Sequence, residues 1–215
     1  MKRSFLNATA VVFALATLTG ASHAATYLNH TNTTVELGPT MGTNIFVNVG
    51  DAQSLANTID VNAATDNEQH TQASHVWYSM GANQGLPLDL VFTFDKEYDL
   101  STFHFWNYFG EGFDVDVIAF ETFDALGASL DTGTLNPVAG THLGGEVIAP
   151  EDYAFNYSGV KSIRMFLSGS NGQVDFNNLG WTGSASNTNV IPLPAAGWLL
   201  LAGLGGLAAL RRRKP

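Results

Sequence analysis

One stretch of the sequence gathers oxygen-bearing side chains that could bind a metal ion. It contains Asp60, Asn62, Asp66, Asn67 and Glu68. Ca²⁺ prefers carboxylate and amide oxygens, and loops commonly supply them. The spacing is not that of an EF-hand, because no Gly and Glu fall at the required offsets. The sequence therefore makes Asp60, Asp66 and Glu68 the candidate ligands of a structural Ca²⁺.

A second group of candidate residues is aromatic. Trp106, Tyr108 and Phe109 run into a glycine-flanked turn that contains Glu111. Aromatic faces stack on the apolar faces of pyranose rings, so these four residues form the candidate saccharide-binding site. Core packing is the alternative use of aromatic side chains in a Phe-rich domain. Because neighbouring strand residues face opposite sides, we expect either Tyr108 or Phe109 at the rim of the domain.

Other candidate residues have simpler structural interpretations. Asp114 and Asp116 are two residues apart, so both would face one side of a strand and could bind Ca²⁺ or act as an acid–base pair. A solvated strand face, whose charges discourage edge pairing, is the favoured interpretation. Trp77 and Trp181 could also stack on a sugar, but core packing is favoured for both.

The sequence offers no assembled catalytic motif. The histidines are scattered without the spacing of a zinc site, and although His70 and His75 could meet in space, solvated loop histidines are the favoured interpretation. The chain has no Cys, which excludes disulfides, thiol catalysis and Cys-ligated zinc. No nucleophile elbow, P-loop or dinucleotide fingerprint occurs. We therefore predict no catalytic residue and a protein that is not an enzyme.

The charge of the chain is unevenly distributed. All 19 acidic residues lie between residues 25 and 190, where Lys96, Lys161 and Arg164 are the basic residues, which gives this region a formal charge of −16. Phosphate binding needs a cationic surface, so we expect no nucleic-acid partner. Cations, metals and neutral sugars remain suitable ligands.

The N-terminus has the pattern of a secretory signal peptide. Lys2 and Arg3 precede an apolar run, and Ala24 follows a small-residue cleavage pattern. An uncleaved anchor helix is the alternative, but the run is short for a span of roughly 20 residues. We expect residues 1–24 to be the signal peptide, residues 25–182 a β-sandwich domain and residues 183–190 a linker.

Three features follow one another in the C-terminal residues 191–215. The first is a proline motif made of Ile191, Pro192, Leu193, Pro194 and Ala195. An uncharged apolar stretch over 196–210 then predicts a transmembrane helix. The last feature is a basic cluster, expected on the cytoplasmic side, of Arg211, Arg212, Arg213 and Lys214.

This C-terminal order resembles the sorting signals of the PEP-CTERM class, in particular its Val-Pro-Leu-Pro-Ala variant, with Ile191 in place of the motif's Val. An ordinary tail anchor is the alternative. The resemblance implies recognition by an exosortase-type membrane peptidase, removal of the helix and delivery to the cell surface or extracellular matrix. It also implies transient retention in the inner membrane by residues 196–210.

Between these ends the pattern is all-β. Alternating apolar and polar residues predict strands over 88–95, 102–106, 114–120, 162–167 and 174–181, with shorter ones at 33–37, 44–49, 146–149 and 153–156. The segment 53–64 fits a short helix or a strand. Many short strands separated by turns favour a β-sandwich.

The order of landmarks from about residue 58 to 182 resembles the galactose-binding-like, discoidin-type jelly roll. Trp77 comes first, then two central strands that end near Trp106, and then a final strand that ends near Trp181. The sequence departs from the family in lacking its terminal cysteines. The resemblance implies a jelly-roll sandwich and agrees with a structural Ca²⁺ in a loop.

Three functions are compatible with this sequence. The favoured one is a non-enzymatic surface protein that binds or organises extracellular polysaccharide in a biofilm or floc matrix. The second is a structural or adhesive surface protein without a saccharide site. The third is a carbohydrate-active hydrolase, which would need Glu111, Asp114 or Glu121 beside another acid.

Overall fold

The computed structural model describes residues 24–41, 47–48, 55–71, 74–110 and 112–186. Nearly all of the predicted signal peptide, the proline motif, the stretch 196–210 and the basic cluster lie outside these ranges, as does Glu111. Within them, no helix is long and apolar enough to cross a bilayer. The predicted export and sorting signals therefore stay predictions.

The described residues form twelve β-strands and two short 3₁₀ helices, at Leu55–Ile59 and Gly81–Asn83. The strands, in chain order, are β1 Thr26–Leu28, β2 Thr33–Leu37, β3 Val47–Asn48, β4 Glu68–Gln69, β5 Val76–Ser79, β6 Leu88–Asn107, β7 Val117–Phe123, β8 Ser129–Leu135, β9 Thr141–Gly144, β10 Val147–Ala149, β11 Glu151–Ser168 and β12 Gln173–Ala185.

Two long antiparallel strands, β6 and β11, take part in both layers of a sandwich. The first half of β6 pairs with β2 and with the second half of β11, which continues to β7 and β8. The second half of β6 pairs with β12 and with the first half of β11. Register shifts in β11 between Ala154 and Ser162 accompany the change of layer, as expected of bulges that bend a strand.

Aromatic side chains fill the space between the layers. Trp181 on β12 is fully buried, and its ring contacts Phe92 and Phe94 on β6 at centroid distances of 5.0 and 5.4 Å. Phe120 on β7 contacts Phe155 on β11 at 4.8 Å. Apolar burial of this kind stabilises a domain that has no disulfide.

A second, three-stranded sheet of β4, β10 and β9 lies beside the main one. The turn between β9 and β10 has three successive residues with positive φ, Gly144, Gly145 and Glu146. This tight turn directs two carbonyls toward β4, where Gln69 Nε2 donates to Gly145 O and the His70 amide donates to Glu146 O, both at 2.7 Å. The small sheet thereby holds the segment after β4 in place.

The all-β prediction is confirmed, with differences in detail. The strands predicted at 88–95 and 102–106 are one continuous strand, because β6 bends between layers instead of ending. The segment 53–64 contains the 3₁₀ helix Leu55–Ile59. Residues 183–185, placed in the linker, continue β12 through pairing with β6, while residues 187–190 lie outside the described ranges. The strand predicted at 114–120 begins only at Val117, and the strands β1, β4, β5, β8 and β9 were not predicted.

The late start of β7 corrects the interpretation of Asp114 and Asp116 as a solvated strand face. Both precede the strand, and Asp114 is buried. Its Oδ1 accepts a hydrogen bond from the Gly112 amide, while Asp116 Oδ2 accepts one from the Ser170 amide. These carboxylates therefore bind loop amides, because the chain turns here before it enters the sheet.

A buried ion pair joins the two strands that cross the layers. Asp89 on β6 is fully buried and accepts two hydrogen bonds from the Arg164 guanidinium on β11, at 2.9 and 2.8 Å. Thr40 donates two more to the same carboxylate. Burial alone would raise the pKa of Asp89, but the hydrogen bonds from Arg164 and Thr40 outweigh it and hold that pKa below its usual value. The ion pair therefore stabilises the fold at neutral pH.

We expect Arg164→Leu to lower the free energy of unfolding at pH 7 by about 3 kcal/mol, because it leaves Asp89 buried and unpaired. Since the folded-state pKa of Asp89 is lowered, this contribution is present above about pH 4 and is lost as the pH falls below it. Urea denaturation of both proteins at pH 7 and pH 3 measures the difference.

Lys96→Leu is the matched control, since Lys96 is exposed and loses only a solvated contact with the Tyr98 ring, which should cost about 1 kcal/mol or less. Equal stability of the Arg164→Leu variant and the unmodified protein at pH 7 would contradict the assigned role.

Candidate functional site

The candidate site lies where β6 ends. Asn107, the last residue of β6, is fully buried. Its Nδ2 donates to the carbonyls of Val115 and Val138 at 2.9 and 2.8 Å, and its Oδ1 accepts from the Val115 amide at 2.9 Å. One amide side chain thus ties together both ends of the loop 108–115 and a second loop near Val138.

This arrangement presents a group of aromatic rings, which we call the aromatic rim and define as Tyr108, Phe109, Phe113 and His142. Phe109 lies 4.6 Å from Tyr108 and stacks on His142 at 4.2 Å with an interplanar angle of 13°. Phe113 lies 6.4 Å from Tyr108 and is 49% exposed. The rim therefore combines packed rings with exposed ring surface.

The prediction that one of Tyr108 and Phe109 lies at the rim assumed that the strand continues. In fact β6 ends at Asn107, and both rings are half-buried at the rim. Trp106, by contrast, is fully buried, and its indole N–H donates to the Asp66 carbonyl at 2.8 Å. It packs with Val61 and Ile148 beneath the rim and has no exposed face in this conformation.

Below Tyr108 lies a polar cluster that we call the histidine cluster, consisting of His70, His75, Asp175 and Asn177. His70 Nε2 lies 3.1 Å from His75 Nδ1, and its Nδ1 lies 2.6 Å from Asn177 Oδ1. The His70 ring packs against Tyr108 at a centroid distance of 4.4 Å. Sequence reasoning noted that the two histidines could meet, but their side chains are only 10% and 12% exposed, so they are not solvated.

Asp175 had no signal in the sequence. It alternates with the core residues Val174 and Phe176 on β12, which ordinarily places a side chain in solvent. Its side chain is nevertheless only 8% exposed, because the segment around His70 and His75 covers that face of β12. Only the tertiary contact between distant segments reveals this residue.

Burial strongly perturbs the protonation of the cluster. It raises the pKa of Asp175 to about 8. Burial, with a smaller contribution from His70, lowers the pKa of His75 to about 4. The pKa of Tyr108 is raised by burial and by the charges of Asp175 and Glu146. Near pH 7 the cluster therefore favours neutral forms of both Asp175 and His75 when no other charge is present.

One of the predicted calcium ligands, Asp66, contacts the buried Trp106 through its carbonyl. Asp60 accepts a hydrogen bond from Asn178 at 2.8 Å, and Asp66 accepts one from the Ala63 amide at 3.0 Å. Burial, followed by the charges of Asp60 and Asp66, raises the pKa of Glu68 to about 7. The three acids therefore influence one another electrostatically.

Their ligand atoms are nonetheless not gathered as tightly as those of the histidine cluster. Across the described ranges, the group whose ligand atoms all lie within 4.8 Å of one another is His70, His75 and Asp175.

Comparison with known proteins identifies the fold. No protein-family model matches the sequence, and no curated protein matches it. The F5/8 type C domain of a Bacteroides fragilis protein superposes with a TM-score of 0.51 at 13% identity, covering 75% of this chain and 97% of that one. The chain therefore has the jelly-roll sandwich fold of F5/8 type C, or discoidin-like, domains, which confirms the fold that the second of the two sequence resemblances implied.

Two further solved structures match with lower scores. The C-terminal domain of a Bacteroides fragilis chitobiase gives a TM-score of 0.49 at 13% identity and covers 75% of this chain and 100% of that one. The family 32 carbohydrate-binding module of Clostridium perfringens NanJ, in complex with galactose, gives 0.46 at 12% identity and covers 74% and 99%.

The perturbed pKa of Asp175 predicts a specific pH dependence of stability. Because the folded-state pKa of Asp175 is raised, its contribution to the free energy of unfolding is fully present below about pH 4 and is lost as the pH rises through about 8. The contribution of His75 to stability instead rises between about pH 4 and 6.5, since its folded-state pKa is lowered. We therefore expect the unmodified protein, relative to Asp175→Asn, to lose about 1 to 2 kcal/mol between pH 6.5 and 8.

Urea denaturation at a series of pH values, in the presence of a chelator, measures this difference. Subtracting the two profiles removes the contribution of Glu68, which titrates in both proteins. Parallel profiles for the two proteins from pH 6.5 to 8 would contradict the assignment.

Proposed function

We propose that this chain is an exported surface protein whose sandwich domain binds extracellular saccharide through the aromatic rim. The observation that carries the proposal is the set of four adjacent rings held at the loop end of the sandwich by Asn107. In this proposal the domain is not an enzyme, and its role is to bind or organise polysaccharide in the extracellular matrix.

The chemistry of the rim suits a sugar better than a purely apolar ligand. Phe109 and Phe113 offer ring faces and edges for the C–H groups of a pyranose. His142, which stacks on Phe109 and is exposed, and the exposed Glu146 beside Tyr108 can hydrogen-bond to hydroxyl groups. Ligand sites commonly combine apolar surface with a few polar groups in this way.

The charge of the domain narrows the class of saccharide. A formal charge of −16 between residues 25 and 190 repels polyanions such as uronic-acid polymers unless cations bridge the two. We therefore expect neutral sugars as the preferred ligands. Ca²⁺ held by Asp60, Asp66 and Glu68 remains part of the proposal, because it would offset the mutual repulsion of these acids.

The placement of two candidate catalytic acids also favours a binding role. Glu121 on β7 lies opposite Arg164 on β11 in the strand register, and the buried Asp114 accepts a hydrogen bond from a loop amide. Glycoside hydrolysis requires two acids that face each other across a cleft, whereas these two acids lie beside a basic side chain and a loop amide. A structural or adhesive role without a saccharide site is the alternative that the following experiment decides.

A glycan array probed with residues 25–190, with and without Ca²⁺, tests the proposal. We expect binding to neutral glycans, and we expect Phe109→Ala to weaken it by about tenfold or more, since loss of one stacked ring costs on the order of 1.5 kcal/mol. Phe113→Ala should weaken it similarly while sparing the core, because that ring is half exposed.

Phe123→Ala is the matched control. Phe123 ends β7, roughly 20 Å from the start of that strand next to the rim loop, and it is half-buried like Phe109. The proposal fails if no glycan binds under either condition, or if Phe123→Ala weakens binding as much as the rim variants do.

The sorting part of the proposal rests on the sequence features at the two ends of the chain. An exosortase-type peptidase would cut near Pro192–Ala195 after export, with residues 196–210 as the temporary membrane anchor. We expect the intact mass of the surface-recovered protein to correspond to a chain that lacks residues 1–24 and the apolar helix. A recovered chain that retains residues 196–210 would favour a permanent tail anchor instead.

A further inference from the structure

Three side chains from three separate segments converge at the centre of the histidine cluster. His70 follows β4, His75 precedes β5, and Asp175 lies on β12. Their ligand atoms all lie within 4.8 Å of one another, and each side chain is about nine-tenths buried. Two imidazoles and one carboxylate are a donor set that binds divalent transition metals.

The spacing of the donor atoms suits a tetrahedral ion. His70 Nε2 lies 3.1 Å from His75 Nδ1 and 3.7 Å from Asp175 Oδ2, and His75 Nδ1 lies 3.6 Å from Asp175 Oδ1. Ligands bound at about 2.05 Å in tetrahedral geometry lie roughly 3.3 Å apart. Only small side-chain rotations are therefore needed to place an ion between the three groups.

The surroundings of His70 orient it as a ligand. Asn177 Nδ2 donates to the Gln69 carbonyl at 3.2 Å, which leaves Asn177 Oδ1 as an acceptor for the proton on His70 Nδ1. The lone pair of His70 Nε2 therefore points into the cluster. Metal-bound histidines characteristically donate their other ring N–H to an oxygen acceptor in this manner.

One oxygen of the buried Asp175 carboxylate lacks the hydrogen-bond partner that such an atom normally has. Among the described residues its Oδ1 has no hydrogen-bond partner although the atom is inaccessible to solvent. A buried charge is ordinarily paired or bound to a metal. The buried Asp89, by comparison, has both Arg164 and Thr40.

The basic side chains of this region are all engaged elsewhere. Between residues 25 and 190 the basic residues are three in number. Arg164 binds Asp89, Lys161 donates to the Phe94 carbonyl, and Lys96 lies over the Tyr98 ring. Among the described residues no Lys or Arg therefore neutralises Asp175, which leaves protonation of the carboxyl group, protonation of an adjacent histidine or a bound cation.

We propose that His70, His75 and Asp175 bind a first-row divalent transition-metal ion, for which Zn²⁺ is the probe. When no ion is bound, the His75 Nδ1–H can donate to His70 Nε2, which satisfies both nitrogens. Metal binding requires the His75 proton to lie on Nε2 instead, so that Nδ1 is free to bind the ion. Ca²⁺ is not the expected ion, because imidazole nitrogen suits Zn²⁺, Cu²⁺ and Ni²⁺ while Ca²⁺ takes oxygen ligands.

Such an ion would link segments that are far apart in the sequence. It would join the connection between β4 and β5 to β12, and its His70 ligand supports the Tyr108 ring of the aromatic rim. Three protein ligands leave a fourth coordination position open. The proposal stands whether or not the rim binds saccharide.

Isothermal titration calorimetry with Zn²⁺ tests the proposal on the full-length chain, purified in detergent with a tag that contains no histidine and stripped with a chelator. We expect one equivalent of Zn²⁺ to bind with a Kd of about 1 µM or lower. Zn²⁺ should also raise the midpoint of thermal unfolding by on the order of 5 °C at saturation. Co²⁺ in its place should give the strong visible absorption of a tetrahedral site.

The variants His70→Ala, His75→Ala and Asp175→Asn should each weaken binding by about 100-fold. Asp175→Asn preserves the shape of the side chain and removes a buried carboxyl, so it keeps the test valid if the alanine variants fail to fold. His30→Ala is the matched control, because His30 is exposed outside the cluster and its loss should leave the affinity unchanged.

Either of two results would overturn the proposal. One is the absence of Zn²⁺ binding at 100 µM. The other is an affinity that the Asp175→Asn and His75→Ala variants leave intact, which would place the ion elsewhere on this acidic chain. In that second case, competition by a large excess of Ca²⁺ would assign the ion to the acidic residues around Asp60.

Discussion

The structure depends on the pairing of two long strands that belong to both layers of the sandwich. Because β6 and β11 bend together, this pair of strands belongs to one layer along the first half of β6 and to the other layer along its second half. The bend brings Phe92 and Phe94 over Trp181, so the core closes around a residue of β12. The Asp89–Arg164 ion pair joins the same two strands. It therefore favours the register in which β6 and β11 are paired.

The candidate site is a consequence of where β6 stops. Asn107 ends the strand inside the protein, and a buried amide must find hydrogen-bond partners there. It finds them in Val115 and Val138, which closes one loop and anchors another. Tyr108 and Phe109 follow immediately and are held at the surface by that closure. The aromatic rim therefore owes its position to a polar contact below it.

Two buried carboxylates, Asp89 and Asp175, illustrate how unusual the charge balance of the domain is. Asp89 has a guanidinium and a threonine as partners, and its pKa is lowered despite burial. Among the described residues Asp175 has no Lys or Arg partner, only the neighbouring His70 and His75, and burial raises its pKa to about 8. A chain with so many acidic and so few basic residues between its two ends must neutralise buried acids by protonation or by external cations. The same imbalance disfavours polyanionic ligands at the rim.

The sequence by itself determined the all-β class and, through the resemblance in the order of its landmarks, the discoidin-like sandwich. The all-β class follows from period-two hydrophobicity and from local turn chemistry, which act over a few neighbouring residues. The sequence could not show that β6 is continuous, because over a few residues a strand that bends between layers has the same pattern as a strand that ends.

Only the tertiary structure shows that the histidine cluster forms and that Trp106 is buried. His70 and Asp175 are more than one hundred residues apart, and no local pattern distinguishes a polar strand residue that faces solvent from one that another segment covers. Trp106 lies on the outer face of β6 by the alternation of that strand. This face is nevertheless buried, because Val61 and Ile148 pack over it. Burial on that face depends on which distant segment folds over it, which is a property of the assembled domain.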